Sequence, residues 1–307
     1  MYVCFIRFRE SGLRINQIGI VFTMKKNHNL FPIHTTIAEV PITHCRSLPT
    51  RVFDYPFFNE GVQEIRKKQH HIDYPTLDDL KDTPVTHLLE LKGFIFHTSH
   101  CGSTLLTRML QTSDQIRVVS EPEAINGLLL AYKLHTLSKA DVQQQLQRII
   151  ESYRQPLGEE KYLIFKCTSW NVFMIDLFLE LYPTTKSIYI DRKIEEVVTS
   201  LLKSDGGVAQ WWDHPVDNLR KYFTGEDYQY TTKGAYLKHM VEQHRKQVAI
   251  HTNKTVYKIT YPTFLNNFEK VLTHFELTLS SQEIETAEKA TAYYSKSTYK
   301  KVYVEGD

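Results

Sequence analysis

The sequence predicts an α/β fold with three layers, in which a central parallel sheet is flanked by helices. From residue 91 onward, short apolar runs of the length of buried strands alternate with segments whose apolar residues recur every three or four positions. Strands that alternate with helices form parallel sheets covered on both faces. The chain has 307 residues, 42% of them hydrophobic and 23% charged, which suits a globular protein with a large core.

Each element has its own local signal. The apolar runs predict five strands, at residues 94–96, 116–119, 162–165, 187–190 and 256–259. Ser138 followed three positions later by Asp141 predicts a capped helix start. A helix over 172–181 is expected to stop before Pro183, and Pro262 suits the first turn of the last predicted helix. Three further helices are predicted from apolar periodicity, over residues 105–110, 197–202 and 233–250.

Charge and composition exclude several classes of protein. Lys and Arg number 37 against 35 Asp and Glu, a net charge of +2, which argues against a nucleic-acid coat protein and an acidic tail. No uncharged apolar run reaches the roughly 18 residues of a membrane span. The four cysteines show no CxxC spacing, so we expect a reducing cytoplasm and no disulfide scaffold or zinc site. We therefore expect no nucleic-acid or membrane partner.

The chain divides into two regions in this interpretation. Residues 1–90 form an N-terminal appendage that packs on the main domain, and residues 91–307 form the α/β domain. Residues 1–23 are basic and show no apolar pattern, which makes Met24 a candidate start of the natural protein. A peptide from residues 10–14 in the natural protein, detected by mass spectrometry, would contradict that start.

The first candidate binding motif is the loop of residues 98–104, between a predicted strand and a predicted helix. Its glycine and small hydroxyl residues leave backbone N–H groups at the helix N-terminus free to bind an anion. The helix dipole adds to that attraction. A plain turn before a capped helix fits the same residues, and spacing alone does not decide between the two.

The loop differs from the Walker A motif of nucleotide hydrolases. That motif has a glycine five positions before its second glycine and a lysine directly after it. His97 and Ser103 occupy those positions here. A Mg-ATP hydrolase or an ordinary kinase is therefore disfavoured.

The second candidate motif pairs Arg192 with Ser200. Arg192 follows a predicted strand, at the sheet edge where α/β proteins bind ligands, and Ser200 lies eight residues later in the next helix. A guanidinium suits phosphate because it presents a rigid fork of donors. A surface ion pair with Glu195 or Glu196 is the alternative, and it is the more ordinary use of such an arginine.

In their order along the chain, the two motifs resemble those of the sulfotransferases, which use 3′-phosphoadenosine 5′-phosphosulfate (PAPS) and release PAP. The resemblance covers roughly residues 91–300 and is nearest to the tyrosylprotein and bacterial branch, with a P-loop-type fold. It implies that the loop binds the 5′-phosphosulfate and that Arg192 and Ser200 bind the 3′-phosphate. The loop residues implied are Ser99, Cys101, Gly102, Ser103 and Thr104. Lys296, near the C-terminus, would fold over the 3′-phosphate or lie in a solvated tail.

One position departs from the family pattern. The family usually has Lys or Arg two positions before the loop glycine, and this chain has His100. An imidazole can donate one hydrogen bond when neutral or act as a cation, so it would supply the same electrostatic help more weakly. A slower enzyme or a lost activity is the other outcome.

Two further residues complete the expected chemistry. Glu121 lies 19 positions after Gly102, where the tyrosylprotein branch has its catalytic base, and partial burial would raise its pKa. It could instead cap the following helix, with Glu123 as the fallback base. Lys166, at the end of the third strand, resembles the family's basic residue near the sulfuryl group, or it is a solvent-facing lysine.

The resulting expectation is a PAPS-dependent sulfotransferase that needs no metal. Its acceptor is a hydroxyl or amine on a small molecule or peptide, and the appendage either helps to bind it or covers the surface. The alternatives are a non-catalytic relative that binds a nucleotide, and another P-loop enzyme such as a small-molecule kinase.

Overall fold

The structure is a computed structural model, and it describes residues 30–67, 74–80, 87–204, 207–213, 230–251 and 256–292. Within these ranges the strands are β1 Leu30–Thr35, β2 Thr43–Ser47, β3 Glu90–His97, β4 Ile116–Ser120, β5 Tyr162–Lys166, β6 Lys186–Asp191 and β7 Val256–Thr260. Its α-helices are α1 Phe58–Arg66, α2 Ser103–Leu110, α3 Glu123–Leu134, α4 Lys139–Ser152, α5 Ile175–Leu181, α6 Ile194–Leu202, α7 Lys233–Ala249, α8 Phe268–His274 and α9 Ser281–Ala290. Short 3-10 helices cover Thr50–Asp54, Ser169–Met174, Gly207–Asp213 and Thr263–Asn267.

Five of the strands form one sheet in the order β4-β5-β3-β6-β7, and all four neighbouring pairs are parallel. The predicted α/β fold is confirmed. The strand that precedes the glycine loop, β3, lies in the middle, with β4 and β5 on one side and β6 and β7 on the other. The carboxyl end of β3 is therefore the point where the chain changes direction across the sheet, which is where ligands bind in such folds.

Side chains of the central strand alternate between two apolar layers. Phe94 and Phe96 face a cluster that includes residues of α3, α4, α5 and α7, while Ile95 faces a second cluster that includes α2, α8 and α9. This alternation is the two-residue period of a strand buried on both faces. Helices therefore cover both sides of the sheet, as predicted.

The described part of the N-terminal region packs into the first of these layers. β1 and β2 form an antiparallel pair, and β1 lies against α3. Phe31, Val52 and Phe58 are at most 1% exposed and belong to the same apolar cluster as Phe165 of the central sheet. The division of the chain at residue 90 remains a prediction, and residues 1–29 lie outside the described part.

The helix boundaries agree with their sequence signals in most places. Ser138 caps α4 by accepting a hydrogen bond from the Asp141 backbone N–H at 3.1 Å. The segment predicted as one helix over 172–181 begins instead as a 3-10 helix and becomes α5 at Ile175. None of the helices in the described part of the chain combines the length and apolar character that a membrane span requires.

Candidate active site

The loop after β3 reverses the chain tightly before α2 begins. Ser99, His100 and Gly102 have positive φ angles of 72°, 45° and 80°. Gly102 is the N-cap of α2 and carries no side chain with which to cap it. The first N–H groups of a helix have no partner within the helix, so those of α2 are available to an anion. The side chains of Ser103 and Thr104 are buried beside them.

Glycine is required at position 102 for two separate reasons. Its φ of 80° lies in the left-handed region, which side chains with a Cβ avoid. A Cβ added there would also lie 2.5 Å from Cδ2 of Tyr261, closer than real Cβ atoms approach. The ring of Tyr261 therefore packs directly against the backbone of the loop.

The second sequence motif meets the first at His100. Arg192 follows β6 and donates from Nη1 to the His100 carbonyl at 2.9 Å, and its guanidinium lies 4.8 Å from the centre of the Tyr261 ring. Ser200 of α6 places its hydroxyl 2.6 Å from Nδ1 of His100. The structure thus brings Arg192, Ser200 and the loop together. The surface ion pair considered from the sequence is also present, because Arg192 Nε donates to Glu196 at 2.8 Å.

A buried ion pair lies on the other side of the loop. Lys166 ends β5 between β3 and β4, and its side chain is fully buried. Its Nζ lies 2.8 Å from Oε1 of Glu121 and donates to Oγ1 of Thr104 at 3.1 Å. The solvent-facing alternative for Lys166 is therefore wrong. The ammonium instead connects the carboxylate expected to act as base with the first turn of α2.

Glu121 is held in an unusual backbone conformation, with a φ of 53°, and its N–H donates to the Lys166 carbonyl at 2.7 Å. The cap of α3 is Pro122, so Glu121 does not cap that helix. Burial alone would raise the pKa of the Glu121 carboxyl, but Lys166 and His97 outweigh burial and lower the pKa to about 2. The sequence led us to expect a raised pKa, and the difference arises because Lys166 points inward.

Sequence reasoning missed His97, the last residue of β3. Its Nδ1 accepts a hydrogen bond from the Ser99 N–H at 3.1 Å, which places the ring proton on Nε2. Nε2 lies 3.6 Å from Oε1 of Glu121, beyond hydrogen-bond distance but aimed at the carboxylate. A polar residue that ends an otherwise apolar strand was the available signal.

The N-terminal region also reaches the site, and no sequence motif indicated that it would lie there. The ring of Phe57 lies 4.4 Å from Nζ of Lys166. Asn59, in α1, accepts a hydrogen bond from the Glu123 N–H at 3.2 Å. Burial raises the pKa of Glu60, and the charges of Lys166 and Arg108 oppose that shift. Glu123 itself pairs with His34 of β1 at 3.2 Å.

The remaining predicted residues have different environments. Ser99 donates from its hydroxyl to Ser169 at 2.6 Å. The Cys101 side chain is fully buried, so this residue offers a ligand only its backbone. Lys296 lies outside the described residues. Within the described ranges, no group of three or more His, Cys, Asp or Glu side chains is arranged to hold a metal ion.

Comparison with known proteins gives structural neighbours only, since no family model and no curated sequence matches. Mouse sulfotransferase SULT7A1, complexed with PAP, has a TM-score of 0.39 and 14% identity over 66% of this chain. A sulfotransferase from Alicyclobacillus acidocaldarius has a TM-score of 0.39 and 11% identity, covering 65% of this chain and 90% of that one. Sulfotransferase STF1 from Mycobacterium tuberculosis H37Rv has a TM-score of 0.40 and 15% identity, covering 68% of this chain and 73% of that one.

These neighbours are sulfotransferases, the family that the two sequence motifs resemble. The chain spans 64% of the length of the mouse protein. TM-scores near 0.4 carry no argument about function, so the functional proposal depends on the residues of the site.

Proposed function

We propose that this protein is a PAPS-dependent sulfotransferase that acts on a hydroxyl or amine of a small molecule or peptide. One observation carries the proposal: Arg192, which directly follows β6, and Ser200, in α6, both contact His100 in the loop that follows β3. The two stretches are about 90 residues apart in sequence, yet they form one site at the carboxyl edge of the sheet. A cytoplasmic location remains our expectation.

The donors present suit a ligand with a phosphate at each end. The first-turn N–H groups of α2, together with Ser103 and Thr104, would hold the 5′-phosphosulfate. Arg192 and Ser200 would hold the 3′-phosphate, and Lys296 is a further candidate there. PAPS supplies the activated sulfuryl group, and PAP is what remains after its transfer. A sulfuryl group carries less charge than a phosphoryl group, so these donors suffice without a metal.

Glu121 is the proposed base for the acceptor proton. With a pKa of about 2 it is ionised at neutral pH, but a carboxylate of such low basicity is a weak base. An anion that draws the Lys166 ammonium away from Glu121 raises the basicity of this carboxylate, because the ion pair is what lowers its pKa. Lys166 and His100 would also stabilise negative charge that develops on the ligand.

A thermal-shift screen with PAP, with ATP plus Mg²⁺ and with GTP plus Mg²⁺ tests the proposal. A ligand at 100 times its Kd stabilises a protein by about 2.7 kcal/mol, so PAP is expected to raise the Tm by roughly 5 °C. Stabilisation by a Mg-nucleotide and not by PAP would favour a kinase and contradict the proposal.

A second assay separates catalysis from binding. It is needed because His100 stands where the sulfotransferases usually have Lys or Arg, so a non-catalytic relative that binds PAP is the alternative. PAPS would be incubated with a panel of phenols, alcohols and amines, and release of PAP would be measured. Acceptor-dependent PAP release supports the enzyme. Stabilisation by PAP without release in any combination favours the non-catalytic relative.

A further inference from the structure

Arg245, which neither sequence motif includes, contacts the backbone that carries Arg192. It lies on α7, the long helix between β6 and β7 in sequence. Its Nε and Nη2 are each 3.0 Å from Oδ1 of Asp191, and Nη2 also donates to the Arg192 carbonyl at 2.7 Å. A single guanidinium therefore binds two consecutive residues at the carboxyl end of β6.

Asp191 is the centre of this arrangement, and its side chain is only 6% exposed. In addition to Arg245, its Oδ1 accepts the Arg192 N–H at 2.9 Å, and its Oδ2 lies 2.8 Å from Nζ of Lys258 in β7. A buried carboxylate is stable only when it is paired and hydrogen-bonded. Here side chains from two neighbouring elements, α7 and β7, and the N–H of the next residue satisfy it, and each of them also limits how Asp191 can move.

The peptide groups on both sides of the Arg192 Cα are thereby fixed. Its N–H is held by Asp191 and its carbonyl by Arg245. From that fixed point the side chain extends to the loop, where Nη1 reaches the His100 carbonyl. Small rotations of this backbone would move the guanidinium away from the loop, because it lies at the end of a long side chain.

We propose that Arg245 is a positioning residue for Arg192. It holds the backbone at position 192 so that the Arg192 guanidinium faces the loop and can bind the 3′-phosphate of the nucleotide. This inference rests on the proposed function. Lysine could not replace Arg245 fully. An ammonium lacks the forked donors with which the guanidinium bonds both the Asp191 carboxylate and the Arg192 carbonyl.

The test compares two ligands that differ in the group Arg192 is proposed to bind. PAP carries the 3′-phosphate, and 5′-AMP lacks it. Their Kd values would be measured by calorimetry for the wild type, Arg245→Ala and Arg245→Lys. Lys246→Ala is the matched control, because Lys246 is the next residue on α7 and is exposed.

We expect Arg245→Ala to raise the Kd for PAP by about tenfold or more, while the Kd for AMP stays within about twofold of the wild-type value. Arg245→Lys should lose part of the same PAP affinity, and Lys246→Ala should lose none. Unchanged PAP affinity in both Arg245 variants, or equal losses for PAP and AMP, would overturn the inference. If Arg245→Ala does not fold, the ratio of the two Kd values in Arg245→Lys decides.

A double-mutant cycle separates positioning from direct contact with the ligand. If Arg245 acts through Arg192, then Arg245→Ala should cost little further PAP affinity in an Arg192→Ala background. Additive losses would mean that Arg245 binds the ligand itself and would overturn the positioning role. A wild type that binds PAP no more tightly than AMP contradicts the proposed function instead, and the inference fails with it.

Discussion

At the scale of single residues, the site depends on a charged group that is completely buried. Lys166 has no exposed side-chain surface, and an ammonium in that position is tolerated only with a close counter-charge. Glu121 supplies the charge and Thr104 an additional acceptor, while the Phe57 ring covers the ammonium. Removing either partner of such a pair leaves an uncompensated charge, at a cost of about 3 kcal/mol or more.

Replacing Glu121 with glutamine tests its role as base. Because the carboxylate is ionised at neutral pH, glutamine removes the proton acceptor and keeps the size and polarity of the side chain. We expect acceptor-dependent PAP release to fall by at least a hundredfold while the Kd for PAP stays within a few fold.

Glu123→Gln is the control for this change, because Glu123 pairs with His34 rather than with Lys166. Glu121→Gln with normal turnover would contradict the assignment. Turnover is to be compared on protein that thermal denaturation shows to be folded, because the substitution also leaves the buried Lys166 charge without its partner. Loss of turnover in Glu123→Gln alone would move the base to Glu123.

His100→Ala tests the position where the sulfotransferases, which the two motifs resemble, usually have lysine or arginine. If the imidazole stabilises the leaving group, its loss removes that help, and turnover should fall at least tenfold. Ser200→Ala removes a hydrogen-bond partner of the His100 ring and should chiefly weaken PAP binding. A rate for His100→Ala equal to that of the wild type would remove the catalytic role.

At the scale of elements, we expect the turn between β3 and α2 to determine whether a nucleotide can bind. Gly102→Ala should destabilise the protein by roughly 1–2 kcal/mol, because of its φ of 80° and the contact with Tyr261. The loop would also shift, so PAP binding should be lost or greatly weakened in calorimetry.

Gly234→Ala provides the comparison for this substitution. Gly234 lies in the first turn of α7, where an added Cβ would lie 3.9 Å from Cδ1 of Leu202, an ordinary van der Waals distance. This variant should bind PAP like the wild type. If Gly102→Ala also bound PAP normally, the backbone of the loop would not be the phosphate site.

The burial of the N-terminal elements leads to a separate prediction about truncation of the chain. Phe31, Val52, Phe53 and Phe58 are buried in the main core, and removing four such side chains costs on the order of 8 kcal/mol. That is comparable to the whole stability of a typical protein. A chain that starts at residue 87 should therefore fail to give a cooperative thermal transition, and a chain that starts at Met24 should give one. Cooperative unfolding of the shorter chain would make residues 1–90 a dispensable appendage.

The elements show what local sequence can predict and where it fails. The α4 cap at Ser138 and the five sheet strands have signals within a few residues, and the structure confirms them. The contacts of Phe57 with Lys166 and of Arg245 with Asp191 join residues that are 109 and 54 positions apart. No local pattern encodes such pairings, because they depend on how the helices pack on the sheet.

The direction of the Lys166 side chain could not be predicted from the sequence either. A lysine at a strand end more often reaches solvent, and the sequence left both directions open. The burial of this lysine follows from its place on β5, between β3 and β4, with Phe57 covering the edge. The low pKa of Glu121 follows in turn from that tertiary arrangement.

At the scale of the whole molecule, strand order explains why distant motifs meet. β3 lies at the centre of the sheet, with the strand ending in Lys166 on one side and the strand ending in Asp191 on the other. The carboxyl ends of these three strands lie at the same edge of the sheet, and one part of the site lies at each of them. We therefore propose that a single ligand is held from two sides, by the loop on one and by Arg192 with Ser200 on the other.

A crystal structure of the protein grown with PAP tests this claim most directly. We expect the 5′-phosphate at the N–H groups of Gly102, Ser103 and Thr104, and the 3′-phosphate within hydrogen-bond distance of Arg192 and Ser200. A nucleotide bound elsewhere, or one whose 3′-phosphate points away from the guanidinium of Arg192, would contradict it.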